Sequence, residues 1–168
     1  PLTKRTTPCY AAAMASQNIL SKRPARAIRY EQDFYGWALE QAALLRQGRL
    51  SELDAANLAE ELGDLGRAEF NSLVSAFRVL TMHLLKWDHQ PEKRSRSWEL
   101  TIASQRLELA DILKDSPGLK PRFDEALARA YRRARLEASS ETGLEASVFP
   151  EACPYDLRAI ATREIVLR

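Results

Sequence analysis

Residues 52–87 carry the strongest signal for the fold and read ELDAANLAEELGDLGRAEFNSLVSAFRVLTMHLLKW. An α-helix turns by about 100° per residue, and at that angle the apolar side chains of this stretch share one arc. The arc consists of Leu58, Leu62, Leu65, Leu73, Ala76, Phe77, Leu80, Leu84 and Trp87, and the opposite face of Glu60, Asp64, Arg67, Asn71, Ser75 and Arg78. The stretch therefore predicts a long amphipathic helix. Gly63 and Gly66 interrupt the pattern, and each costs about 1 kcal/mol relative to alanine, so they predict two segments or one bent helix.

Helical periodicity also marks residues 31–47, 97–114, 120–139 and the chain from about residue 156 onward. Gly48 follows the first of these where a left-handed cap belongs, and Ser51 with Asp54 is typical of a helix start. No stretch alternates with period two over enough residues to form a sheet. We predict an all-α, single-domain, up-and-down bundle of four to five helices over residues 30–168, ending in a short C-terminal helix. Its three tryptophans, at positions 37, 87 and 98, should meet in or beside the core.

The composition of the 168 residues is that of an ordinary folded protein, with 45% apolar and 29% charged residues. The net charge is only +2, and residues 1–29 contain six basic residues and no acidic one, so the rest of the chain is mildly acidic. A mildly acidic body argues against a dedicated nucleic-acid-binding protein, which usually has a basic face. The basic leader, residues 1–29, is expected to be a disordered tail or to lie outside a native start at Met14.

The two cysteines, Cys9 and Cys153, are too few for a disulfide framework in a chain of this length. No stretch approaches the 18 or so apolar residues of a membrane span, and the leader lacks the apolar run of a secretory signal. We therefore expect a cytoplasmic protein that makes no membrane contact. Cys153 has no histidine close to it in the sequence that could lower the pKa of its thiol, which indicates a packed, unreactive side chain.

Five fragments in a fixed order carry a resemblance to a known family. They are YEQDFYGW (30–37), NLAEELGDLG (57–66), HLLKW (83–87), SWELTI (97–102) and FPEACPY (149–155). Together they resemble the bacterial family called domain of unknown function 29, over about residues 30–160. The resemblance implies an all-helical, bacterial, cytosolic protein. It implies no reaction.

Asn57, Glu60, Glu61 and Asp64 form the richest polar cluster, because spacings of three, four and seven place them on adjacent turns of one helix. Paired carboxylates at this spacing can hold a divalent cation or divide acid and base roles if they are partly buried. The simpler interpretation is a solvated helix face with Asn57 near its start. Glu61 lies closest to the apolar edge and is the strongest candidate of the four.

His83 lies at the edge of the apolar arc with Lys86 one turn later, so a general base with an electrostatic partner is conceivable there. More often a histidine in this position hydrogen-bonds a core-edge polar group. The loop that follows carries Arg94 and Arg96, which could bind phosphate. Since no paired histidine spacing typical of zinc or iron ligands is present, we expect no metal site and no cofactor.

Glu69 falls inside the apolar arc of the long helix. A buried carboxylate needs a partner, because leaving it unpaired costs several kcal/mol. Arg106, on the inner side of the next helix, is the candidate, and the two residues are predicted to form a structural ion pair.

Two functions remain open from the sequence. The first is a non-catalytic interaction module that binds a protein partner or forms a homo-oligomer, because amphipathic helices account for most of the polar residues. The alternative is a nucleic-acid-acting or metal-assisted hydrolytic protein that uses Glu61, His83, Lys86 and the loop arginines. The alternative requires Glu61 and His83 to converge within about 10 Å, since catalytic groups must lie within hydrogen-bond reach of a common substrate.

Overall fold

The computed structural model describes residues 30–167, which contain α-helices and no strand. The helices are α1 (Phe34–Arg46), α2 (Ala55–His89), α3 (Arg96–Asp115), α4 (Phe123–Thr142) and α5 (Leu157–Thr162). Short 3-10 turns at Leu50–Glu52, Pro91–Lys93, Pro117–Arg122 and Ala146–Val148 lie between them. The predicted all-α bundle with a short C-terminal helix is confirmed. The expectations for residues 1–29 lie outside the described residues.

The chain divides into two compact units, Pro1–Ala59 and Glu60–Arg168. The boundary falls inside α2, which is one continuous helix by its backbone hydrogen bonds. Helix α1 and the first turn of α2 therefore belong to the first unit, and the remainder of α2 belongs with α3, α4 and α5 to the second.

In the first unit, α1 begins where the Asp33 carboxylate accepts a hydrogen bond from the backbone N–H of Gly36 at 2.8 Å. It ends just before Gly48, whose φ of 69° is the left-handed conformation predicted for the cap. Trp37 is buried in this unit, with the Tyr30 ring 4.9 Å and the Phe34 ring 5.7 Å from its own. Three aromatic rings thus hold the start of α1.

The start of α2 is capped by Asp54 and not by Ser51. The Asp54 carboxylate accepts from the backbone N–H of Asn57 at 3.3 Å, and its other oxygen accepts from the Asn57 side chain at 2.7 Å. The prediction for Ser51 is wrong because residues Leu50–Glu52 form a 3-10 turn, which moves the first helical residue to Ala55. The Gln41 side chain fixes this turn by accepting from the Asp54 backbone N–H at 2.9 Å.

Helix α2 is not divided at its glycines, so of the two predicted forms, two segments or one bent helix, the first is not found. A Cβ at Gly66 would meet nothing within 4 Å, and one at Gly63 would meet only the Arg67 side chain at 3.4 Å. No neighbouring helix therefore requires these glycines for a close crossing. The helix forms despite the low helix propensity of the two glycines, because its second half is stabilised by tertiary packing.

The direction of the helices in the second unit follows from a few long-range contacts. The end of α3 lies beside the middle of α2, where the Ser116 hydroxyl donates to Glu69 at 3.1 Å. The start of α4 also lies beside the middle of α2, where the Arg122 guanidinium is 3.7 Å from the centre of the Phe70 ring. The other end of α4 reaches the end of α2, where the Gln90 side chain donates to the Thr142 carbonyl at 3.1 Å. Helices α2, α3 and α4 thus run up, down and up, as predicted.

The core of the second unit is built from α2 and from a row of small residues on α4. Leu73, Leu80 and Leu84 of α2 have no exposed surface. Facing residues of α4 are spaced by four and are also fully buried: Ala126, Ala130, Ala134 and Ala138. Because alanine extends little beyond the backbone, another helix can lie close to this face of α4.

The tryptophans do not all join this core. Trp87 belongs to it and Trp98 packs against it, whereas Trp37 is not among the residues of the cluster. Among the described residues, no helix is both long enough and apolar enough to cross a lipid bilayer.

Candidate functional site

The two central catalytic candidates, Glu61 and His83, do not meet. Both lie on the single helix α2 and are separated by 22 residues. At about 1.5 Å per residue they are roughly 33 Å apart along the helix axis. The convergence that the enzymatic alternative requires is therefore absent, because an uninterrupted helix cannot fold back on itself.

His83 is held as a core-edge residue. Its half-buried ring donates a hydrogen bond from Nδ1 to the Val79 carbonyl at 2.9 Å. Burial lowers the pKa of His83, and the nearby Lys86 ammonium lowers it further. These surroundings therefore favour the neutral ring.

Lys86 is buried, with a side chain only 7% exposed. Its ammonium donates to the Glu141 carboxylate at 2.5 Å and lies 4.5 Å from the centre of the Trp98 ring. An ion pair and a cation–π contact thus compensate the charge. The ion pair joins α2 to α4, so the Lys86 ammonium is already engaged by Glu141.

The residues of the predicted carboxylate cluster have different surroundings in the structure. Asn57 belongs to the first unit, where it donates to Asp54. In the second unit, Glu60 and Asp64 are exposed, Asp64 forms an ion pair with Arg67, and Glu61 is half-buried. Among the described residues, no group of three or more His, Cys, Asp and Glu side chains is arranged to hold a metal ion.

The two loop arginines have structural contacts. Arg94 donates from Nε to the Trp87 carbonyl at 2.9 Å, and its guanidinium lies 5.0 Å from the centre of the Trp87 ring. Arg96 is exposed and pairs with Glu99 at 2.8 Å. Arg94 thus closes the end of α2, and Arg96 supports the first turn of α3.

The predicted ion pair between Glu69 and Arg106 is wrong. Glu69 is exposed and accepts from the Ser116 hydroxyl, while Arg106 donates to the carbonyls of Ile160 and Arg163, each at 2.7 Å. The reason is that α3 ends beside Glu69. Its residue Arg106 therefore lies about two turns or more away along the bundle, next to α5 instead.

Sequence reasoning missed the most connected polar group of the second unit, which is centred on Asp88. Both carboxylate oxygens of Asp88 accept from Arg163, at 2.5 and 2.8 Å, and one accepts also from the Tyr155 hydroxyl at 2.9 Å. Burial by itself disfavours the carboxylate, but these hydrogen bonds outweigh it and lower the pKa of Asp88. No sequence spacing indicates the group, because its members are 67 and 75 residues apart.

Residues 149–155, which are part of the family resemblance, are joined to α4 by two hydrogen bonds. The Tyr131 hydroxyl donates to the Pro150 carbonyl at 2.7 Å, and Arg135 donates to the Phe149 carbonyl at 3.0 Å. Cys153 is half-buried, and burial raises the pKa of its thiol. A raised pKa leaves little thiolate at neutral pH, so the surroundings do not activate Cys153 as a nucleophile.

Two of the concave features of the second unit differ sharply in character. An apolar pocket of about 370 Å³ lies among α2, α3, α4 and α5, with Arg106 in its wall. A polar groove of about 380 Å³ between α2 and α4 is lined by Arg78, Arg129 and Arg133, and its Glu137 pairs with Arg78 at 2.6 Å. The groove is open on its outer side and its arginines are partly exposed, as expected for a solvated helix face.

An apolar surface on α2 is also uncovered. From Glu60 to Glu69 every residue is exposed except Glu61, which is half-buried. Leu62 and Leu65, predicted to be buried, are 66% and 63% exposed. We call Leu62 and Leu65 with the adjacent Gly66 the exposed leucine face.

Comparison with known proteins identifies one family. The family model described as domain of unknown function DUF29 matches residues 29–165. Searches of curated proteins and of solved structures gave no match.

Proposed function

We propose that this chain, which belongs to the family of the domain of unknown function DUF29, is a non-catalytic interaction module that pairs with a second copy of itself. The main support is that the apolar stripe of α2 continues as the exposed leucine face beyond the end of α3 and the start of α4. Leucines that are about two-thirds exposed on a regular helix favour association with another apolar surface.

The end of the bundle is well defined. The Ser116 hydroxyl, just after α3, contacts Glu69, and the Arg122 guanidinium, just before α4, lies 3.7 Å from the centre of the Phe70 ring. Residues 60–68 of α2 therefore extend past both neighbouring helices of the second unit. Within this unit, α3 and α4 are too short to cover Leu62 and Leu65.

The sequence of the exposed face favours a second copy as the occupant. Residues 61–67 read ELGDLGR. If two copies of this segment lie antiparallel and centred on Asp64, Leu62 of each copy is opposite Gly66 of the other. A Cβ at Gly66 would meet nothing within 4 Å, so the space above it is open to a side chain from a second helix.

The test is the molar mass in solution, measured by light scattering and by sedimentation over a range of concentrations. We expect the full chain to form a dimer and the Leu62→Glu/Leu65→Glu variant to raise the dissociation constant at least tenfold. The matched control is Leu100→Glu/Leu107→Glu on α3, where the leucines are 53% and 69% exposed. Circular dichroism verifies that both variants remain helical. A monomeric wild-type chain at all concentrations, or equal dissociation of the control, would overturn the proposal.

The enzymatic alternative receives no support from the geometry. Glu61 and His83 are roughly 33 Å apart along α2, and Lys86 is engaged by Glu141. Arg94 and Arg96 contact Trp87 and Glu99. These residues are therefore not assembled around a common substrate position.

We further propose that the module acts in the bacterial cytoplasm. The family resemblance is to a bacterial family, and the free thiol of Cys153 is compatible with a reducing compartment. Fractionation of cells that express a tagged full-length chain tests this location, and recovery from the periplasm or the membrane fraction would contradict it.

A further inference from the structure

The apolar pocket of the second unit has the features of a small-molecule site. Its walls come from four helices: Phe77 of α2, Leu109 and Leu113 of α3, Phe123 of α4, and Leu157 and Ile160 of α5. Its volume of about 370 Å³ is near the lower end of the range of about 300–1,000 Å³ that is usual for ligand pockets. The pocket therefore fits a small, mainly apolar molecule.

Arg106 is the one charged residue in the wall of this pocket. Its Nε and Nη2 donate to the carbonyls of Ile160 and Arg163, each at 2.7 Å, which fixes the guanidinium at the end of α5. A guanidinium has five N–H donors, so these two bonds leave three others. Arg106 is thus both immobilised and able to donate further hydrogen bonds at the pocket.

The charge of Arg106 is not neutralised by the protein. Among the described residues it forms hydrogen bonds to carbonyls and no ion pair. Burial lowers the pKa of Arg106, and repulsion by the Arg163 guanidinium lowers it further. An anion placed beside Arg106 would counteract both effects, because a charge-assisted hydrogen bond to a guanidinium is strong.

We propose that this pocket binds an apolar monocarboxylate of the fatty-acid type, with its hydrocarbon chain among the apolar side chains and its carboxylate on Arg106. The site is separate from the exposed leucine face, so it does not depend on the proposed self-association. Sugars and nucleotides are disfavoured because the walls supply few polar partners for them. An amine is disfavoured by the guanidinium.

The chemical class is tested by titration calorimetry of the full chain with three ten-carbon probes: decanoate, 1-decanol and decylamine. We expect decanoate to bind at least tenfold more tightly than 1-decanol, and decylamine to bind least. In Arg106→Gln the preference of decanoate over 1-decanol should disappear. Equal binding of decanoate and decylamine to the wild type, or an unchanged preference in Arg106→Gln, would overturn the assignment of the carboxylate to Arg106.

Arg106→Gln also removes contacts to α5, so a second pair of variants tests the pocket without that residue. Ala110→Phe places a ring in the pocket, while Ala103→Phe adds the same ring two turns earlier on α3, outside it; both alanines are exposed. With unfolding midpoints matched, Ala110→Phe should weaken decanoate binding at least tenfold and Ala103→Phe should leave it unchanged. Equal effects of the two, or an Ala110→Phe variant that alters the molar mass instead of decanoate binding, would overturn the proposal.

Discussion

Asp88 and Arg163 are 75 residues apart in the chain and form a bidentate ion pair, with N–O distances of 2.5 and 2.8 Å. The Tyr155 hydroxyl donates to the same carboxylate at 2.9 Å. Asp88 lies at the end of α2, whereas Tyr155 and Arg163 flank α5. This one carboxylate therefore attaches both ends of the C-terminal helix to the bundle, and the apolar pocket beside α5 depends on that attachment.

Loss of this carboxylate should destabilise the second unit. Replacement Asp88→Ala leaves the Arg163 guanidinium and the Tyr155 hydroxyl without their acceptor, and hydrogen bonds to charged groups are each worth about 1.5–3 kcal/mol. We expect the free energy of unfolding in urea to fall by about 2–3 kcal/mol. The control is Asp64→Ala, which breaks the exposed i,i+3 pair with Arg67 and should cost less than about 0.5 kcal/mol. Equal losses for the two variants would contradict the prediction.

The same carboxylate should govern stability at acidic pH. The pKa of Asp88 is lower in the folded protein than in the unfolded chain, where an aspartate has a pKa of about 3.9. The contribution of Asp88 to the free energy of unfolding is therefore fully present above about pH 4 and is lost as the pH falls through the folded-state pKa. Urea unfolding at pH 6, 4 and 3 should show a loss at low pH that is smaller in Asp88→Asn. A loss of the same size in both proteins would refute the assignment to Asp88.

His83 should affect the stability of the fold in a higher pH range than Asp88 does. Burial lowers the pKa of His83 in the folded state below the value of about 6.5 in the unfolded chain. Folding favours the neutral ring. The contribution of His83 to the free energy of unfolding is therefore fully present above about pH 6.5 and decreases as the pH falls below that value. Between pH 7 and pH 5 the free energy of unfolding of the wild type should decrease more than that of His83→Gln. Parallel curves for the two proteins would show that His83 does not contribute.

The buried pair of Lys86 and Glu141 should respond unequally to removal of its two partners. The Lys86 side chain is 7% exposed and that of Glu141 is 47% exposed. Glu141→Ala leaves a buried ammonium with the Trp98 ring, and we expect a loss of about 1–3 kcal/mol. Lys86→Met keeps the apolar volume and leaves a carboxylate that water can solvate, so a change of about 1 kcal/mol or less is expected. Urea denaturation measures both, and a larger loss for Lys86→Met would contradict this account.

The helices and most of the buried face of α2 could be predicted from the sequence, because helical periodicity and capping are local properties. The small buried residues of α4, the left-handed Gly48 and the Asp156 cap of α5 follow from spacings of a few residues. The candidate site was predicted less well. His83 and Glu61 share one helix, and a periodic pattern shows which side of a helix a residue is on but not how far apart two such residues lie in the fold.

The all-α class, the order of the helices and the family follow from the amino-acid pattern alone, since they depend on local hydrogen bonding and on the spacing of apolar residues. The tertiary structure decided which apolar positions are covered. Leu65 and Leu73 carry the same signal in the sequence, but α3 and α4 extend along α2 only as far as Phe70, so Leu73 is buried and Leu65 is exposed. It also decided the partners of Arg106 and Asp88, because hydrogen bonds over 54 to 75 residues depend on how the helices pack.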